Sequence, residues 1–196
     1  MGENVKECVS FLVENKDVVL PLISGFMGTA LGATVAYISA RAVDKSQKKD
    51  KSEALTASLV AEVAALLEII EARRYLEGAE KIRQGLVAAD VGAVASMTVI
   101  VPEHYSRIFQ ANASEIGLLD AETATSIVRF HQLIDSVVQD IKPGGVLSEG
   151  AELESFNESY NILQAAITLG KSIKNKIFLF FFISSWKLVK NFPLHT

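Results

Sequence analysis

Between Asp17 and Arg41 the chain carries no charged side chain. This run, residues 18–40 (VVLPLISGFMGTALGATVAYISA), constrains the fold more than any other stretch. Its 23 residues at about 1.5 Å rise make roughly 34 Å of helix, enough to cross a hydrocarbon core with some tilt. A helix of a small water-soluble core would carry a polar face instead. The expectation is a single-pass transmembrane helix over residues 18–40 with a helical domain behind it.

One stripe of this run is small throughout. Ser24, Gly28, Gly32, Ala36 and Ala40 recur at every fourth position, with Gly25, Thr29 and Ala33 beside them. In lipid, small residues at i, i+4 let two helix backbones approach and gain van der Waals contact. Leu22, Phe26, Leu31, Val35, Tyr37 and Ile38 hold other positions and would face lipid. The stripe therefore reads as a packing face toward a second copy or another membrane protein. The plainer reading is the general abundance of Gly and Ala in membrane helices. Pro21 falls in the first turn, where its missing N–H costs little.

The flanks give the run a direction. The leader, residues 1–17, has Glu3, Glu7, Glu14 and Asp17 against Lys6 and Lys16. A signal peptide has a basic leader and an apolar region of about 7–15 residues, so the run reads as an uncleaved anchor. Ser39-Ala40-Arg41-Ala42 nonetheless offers small residues for cleavage. After the run, the segment 41–52 concentrates Arg41, Lys45, Lys48, Lys49 and Lys51. The positive-inside rule then puts the N-terminus outside and the C-terminal domain in the cytoplasm. Each of these cations beside anionic headgroups contributes about 1 kcal/mol. The segment has no helix breaker, so the anchor is free to continue into the next helix.

A chain of 196 residues suits one anchor and one modest domain. Four prolines, and β-branched runs confined to the anchor and residues 98–101, argue for an all-α protein. A net charge of −4 carries no nucleic-acid signature. Cys8 is the sole cysteine, which excludes an intrachain disulfide and a cysteine-rich metal site.

Residues 53–89 are rich in good helix formers, and Leu55, Leu59, Val63, Leu66 and Ile70 make one apolar seam. After a small drift the seam resumes at Leu76, Ala79, Ile82 and Leu86, with a bend or break expected at Gly78 or Gly85. The charges between them, Arg73 and Arg74 included, read as a solvated face. Residues 90–101 read as a buried connector. Pro102 suits the first position of a short helix burying Tyr105, Ile108, Phe109 and either Asn112 or Ile116, with Gly117 as its stop. Asp120 caps a helix from Ala121 to about Ile141 whose stripe is Ala124, Ile127, Val128, His131, Ile134, Val138 and Ile141. Pro143-Gly144-Gly145 ends it, and a last helix over about 149–174 carries Leu153, Phe156, Tyr160, Leu163, Ile167 and Gly170. The fold class is all-α: an N-terminal transmembrane helix followed by an antiparallel helical bundle over 53–175, with three long helices and one short. Residues 176–196 form a Phe-rich tail. Its apolar core, residues 177–186, is too short to span and reads equally as an interfacial anchor or as an altered terminus.

Nothing in the pattern announces chemistry. The residues three before His104 and His131 are Val101 and Val128, so the Glu-x-x-His pairs of a di-metal bundle are missing. No HExxH, CxxC, phosphate-cradling glycine loop or nucleophile elbow occurs. No catalytic, cofactor or metal residues are therefore expected. His131 reads as a core or boundary histidine with one hydrogen-bond partner, Glu62 as a partner for Arg129, and Tyr105 as inward-facing.

The run VPEHYSRIFQANASEIGLLDAETATSIVRFHQLI, with its Pro and Tyr, Ile-Gly-Leu-Leu and Arg-Phe-His, resembles a family of small uncharacterised bacterial single-pass membrane proteins with a cytoplasmic helical domain. With the anchor and the alanine-rich helix the resemblance covers residues 18–175. It implies a bacterial inner-membrane location and no particular activity. The leading expectation is a membrane-anchored helical interaction or scaffold module, not an enzyme, whose partners are the lipid bilayer and itself or another membrane protein. The alternatives are a pore-forming or membrane-disrupting effector, and a ligand-sensing bundle on the outer side.

Overall fold

The computed structural model describes residue 10 and residues 16–190, with side chains at residues 10, 17, 21, 25 and 27–176. The chain divides into two compact units, Met1–Asp50 and Lys51–Thr196. Its elements are α1 (Lys16–Ala72), α2 (Tyr75–Ala88), α3 (Arg107–Ala111), a 3-10 helix (Ala113–Leu118), α4 (Ala121–Ile141), α5 (Val146–Glu149) and α6 (Leu153–Lys190). The all-α expectation holds: among the described residues there is no strand, and the extended connector makes one isolated antiparallel bridge, Ala95 to Ala151.

In the first unit every described side chain is exposed. Thr29 and Thr34 donate their hydroxyls to the carbonyls of Gly25 and Ala30, each at 2.8 Å. Among the described residues no helix is long and apolar enough to cross a membrane. The span expected over 18–40 includes residues 18–20, 22–24 and 26, whose side chains lie outside the description, Ser24 among them. Most of the leader, residues 1–17, and residues 191–196 also lie outside it. The Phe-rich tail is not a separate element, since α6 continues to Lys190, but its side chains from 177 onward are not described.

The second unit is a helical bundle around one core. Leu55, Leu59, Val63, Leu66 and Ile70 are all buried, as their spacing predicts. Ile127, His131, Ile134 and Ile141 of α4 and Phe156, Leu163 and Ile167 of α6 complete the core, and α6 packs against both α2 and α4. On α4 the buried stripe is rotated slightly: Phe130 and Val137 are buried where Val128 and Val138 are half-buried. The three long helices meet at Gly170, where a Cβ would come within 2.7 Å of the Phe130 ring and 3.0 Å of Leu67.

Three expected boundaries move. The long helix breaks at Arg74, not at Gly78 or Gly85. Arg74 is left-handed (φ 54°) and its N–H bonds back to the Glu71 carbonyl at 3.1 Å. The cause is the pattern itself: a straight helix continuing the seam beyond Ile70 would bring Arg73, Arg74 and Glu77 inward. The break resets the phase so that Ala79 and Leu86 are buried instead. Pro102 does not open a helix; residues 103–106 form turns and α3 begins at Arg107, with Gly117 inside the 3-10 helix. The last helix begins at Leu153, after the single turn α5. Asp120 does cap α4, accepting the Thr123 N–H at 3.0 Å, and hydrogen bonding from the Thr123 side chain and then its backbone holds the Asp120 carboxyl below the usual range.

Residues 90–101 form a strap. Ala93, Ala95, Met97, Val99 and Val101 turn inward while Val94 and Ile100 stay exposed, the period-two alternation of an extended chain. The N–H groups of Ala95, Met97 and Val99 bond to the carbonyls of Ala151, Leu147 and Ile141, which ties the strap across α4, α5 and the start of α6.

Candidate functional site

Within the second unit, the strap and the broken helix enclose a cavity of about 500 Å3. The end of α1 supplies Leu66 and Ile70, the strap Met97, α4 Ile134, and α6 Phe156 and Leu163. The break at Arg74 shapes one side, because Ala72, Arg73 and Tyr75 all line it. The lining holds two guanidinium groups, Arg73 and Arg107, and one imidazole, His104, and contains no Asp or Glu. Arg73, His104 and Arg107 are all exposed, so they stand at the mouth while the apolar side chains form most of the interior. Neither guanidinium is paired with a carboxylate among the described residues; Arg73 reaches only the Tyr75 hydroxyl, at 3.3 Å. Tyr105 lines the same cavity, inward as expected, and its hydroxyl is buried without a hydrogen-bond partner.

A second cluster lies in the core. Glu62 is 7% exposed, and its two carboxylate oxygens accept the backbone N–H groups of Ile108 and Phe109 at 2.6 and 2.9 Å. These are first-turn donors of α3 that the helix itself leaves unbonded, so a carboxylate from another helix replaces a local cap. Glu62 does not pair with Arg129, which is exposed on α4. His131, 1% exposed, is stacked on Phe109 with ring centres 4.0 Å apart and meets the edge of Phe130 at 5.4 Å. Contrary to the single partner expected, neither ring nitrogen has a hydrogen bond. Burial pushes its pKa down to about 4, so the imidazole is neutral near pH 7. His131 does not line the cavity and is enclosed by aromatic rings.

The sequence-derived packing face lies on α1. Gly28, Gly32, Ala36 and Ala40 are exposed, and no atom stands within 4 Å of a Cβ built on Gly28 or Gly32. Each four-residue step drifts about 40° on a straight helix, so the stripe winds rather than running straight. Arg41, Lys45, Lys48, Lys49 and Lys51 are exposed, and the Arg41 guanidinium sits 5.4 Å over the Tyr37 ring. Among the described residues no group of three or more His, Cys, Asp or Glu could hold a metal ion. The cavity was missed in the sequence because its walls are ordinary core residues. The available signal was the pair of arginines at the seam's phase slip, which reads equally as solvated charge.

Compared with protein-family models, with curated proteins and with solved structures, the chain gives no match.

Proposed function

We propose that this chain is a membrane-tethered helical interaction module. Residues 18–40 span a bacterial inner membrane, the N-terminus lies outside, and the bundle works at the cytoplasmic surface. One observation carries the reading: Met27, Leu31, Val35, Tyr37 and Ile38 are 58–64% exposed on a helix with no charge between Asp17 and Arg41. Such a row of large apolar side chains requires a cover of lipid or protein. The back-bonded hydroxyls of Thr29 and Thr34 need nothing from water, which suits a hydrocarbon setting. Arg41 to Lys51 then lie at the level of anionic headgroups. Helices packed along an i, i+4 row of small residues cross at about −40°, so self-association centres on Gly28 and Gly32.

A topology reporter fused after residue 60, combined with alkaline extraction of membranes, tests the tether. A cytoplasmic signal in a pellet that resists extraction is expected. A chain released by alkali overturns the anchor, and an external signal overturns the orientation. Cross-linking with Gly28→Leu and Gly32→Leu tests the packing face, and an unchanged dimer yield removes it. The cavity favours a second reading, a bundle that senses a small ligand, which is compatible with either side of the membrane.

A further inference from the structure

We infer that the cavity between the strap and the α1–α2 break binds a single-chain amphiphile, with its apolar tail inside and its anionic head at Arg73 and Arg107. This goes beyond the tether and does not depend on it. A volume of about 500 Å3 is in the range of small-molecule sites, and the interior is apolar apart from the hydroxyls of Tyr105, Ser159 and Tyr160. A ligand confined to apolar groups would leave the mouth unexplained. There, Arg73 and Arg107 stand without carboxylate partners among the described residues, His104 lines the same cavity, and no acidic residue in the lining competes for them. Two unpaired guanidinium groups over an apolar pocket select a carboxylate or a phosphate and reject a cation. The strap crosses the cavity through Met97, Val99 and Val101 and is held by four backbone bonds, two exchanged with Ala151 and one each to Leu147 and Ile141. A tail can therefore enter by local opening of that connector.

Met97 provides the readout, since it lines the cavity while Met27 lies on the exposed part of α1. Full-length protein labelled at methionine methyl carbons is titrated, both in lipid nanodiscs and in lipid-free buffer, with decanoate, decyl phosphate, decanol and decyltrimethylammonium. Saturable movement of the Met97 signal by decanoate or decyl phosphate is expected, with Met27 acting as the control for partitioning into lipid. Whichever anion binds more tightly fixes the head group. Octanoate is expected to bind about fifteen-fold more weakly than decanoate, at about 0.8 kcal/mol per methylene. Arg73→Gln with Arg107→Gln is expected to weaken decanoate about tenfold and leave decanol unchanged. Both residues are exposed, so the unliganded Met97 signal should keep its position. Val138→Phe, which pushes a ring into the cavity from its wall, should weaken the Met97 response to every ligand. The inference is overturned if Met97 moves only together with Met27, if decyltrimethylammonium matches decanoate, or if the double variant binds decanoate as the parent does.

Discussion

Nε2 of His131 lies 3.7 Å from Oε2 of Glu62, inside the core and beyond hydrogen-bond distance. Two charged groups at that separation would form a buried ion pair, but the Glu62 oxygens are already committed to the N–H groups of Ile108 and Phe109. Those dipoles stabilise the carboxylate without a counter-cation, and Phe109 and Phe130 leave little room for water around the imidazole. The fold therefore keeps a neutral imidazole beside a carboxyl group whose oxygens are held by backbone N–H donors.

This arrangement makes stability depend on pH with a definite sign. The folded pKa of His131 is about 4, below the usual 6.5. Above pH 6.5 neither state carries the proton and the contribution is complete; as pH falls toward 4 the unfolded chain takes the proton first and the fold loses stability. The loss at pH 4.5 relative to pH 7.5 is about 2.5 kcal/mol from this residue. Urea unfolding of the full chain and of His131→Phe at both pH values checks it. The variant should lose about 2 kcal/mol less than the parent on acidification. Equal losses would mean that the imidazole titrates freely in the fold.

Glu62 is expected to be worth more than an exposed glutamate. Glu62→Leu leaves the Ile108 and Phe109 N–H groups buried without an acceptor and should destabilise by about 2–4 kcal/mol. Glu62→Gln retains one acceptor oxygen, so it should cost roughly half as much. Chemical denaturation of the two variants beside the parent gives the ordering. A leucine variant as stable as the glutamine variant would show that α3 does not depend on this cap.

The seam from Leu55 to Ile70, the Asp120 cap and the Pro143–Gly145 stop were legible because each is a local matter: period, cap chemistry and backbone freedom. The remote cap of α3 was not. Its start depends on Glu62, some 46 residues away, and Pro102 offered a plausible local start that tertiary structure overrode. His131 was legible as a core residue from its stripe, while its lack of a partner follows from Phe109 stacking on it from another helix. The break before α2 was half legible. The seam slips phase between Ile70 and Leu76, while the bend is expected near Gly78 or Gly85; the cost of turning Arg73, Arg74 and Glu77 inward puts the break at the slip itself. The cavity depends on that break, so it could not be read before it.

Two glycines should respond to alanine with opposite signs. At Gly78, on α2, no atom lies within 4 Å of an added Cβ, and alanine should stabilise by about 0.5–1 kcal/mol through helix propensity. At Gly170 the Cβ would meet Phe130 at 2.7 Å and Leu67 at 3.0 Å. There overpacking should outweigh propensity and destabilise by about 1–3 kcal/mol. Thermal or urea unfolding of both variants decides it; a stabilised Gly170→Ala would mean that α6 is not packed this closely on α1 and α4.

Arg74 gives the sharpest test of the helix break. A non-glycine residue at φ 54° carries a local cost of about 1 kcal/mol or more that glycine does not. The side chain is exposed, and its 3.7 Å contact with Glu77 is a solvated pair of little worth, so replacing it removes no core packing. Arg74→Gly should therefore match or exceed the parent, while Arg74→Val, β-branched in the left-handed region, should fall below it by about 1 kcal/mol or more. A continuous helix through this point predicts the reverse order, because valine is the better helix former. Unfolding free energies of the two variants distinguish the geometries, and a valine variant more stable than the glycine variant would remove both the break and the cavity wall built on it.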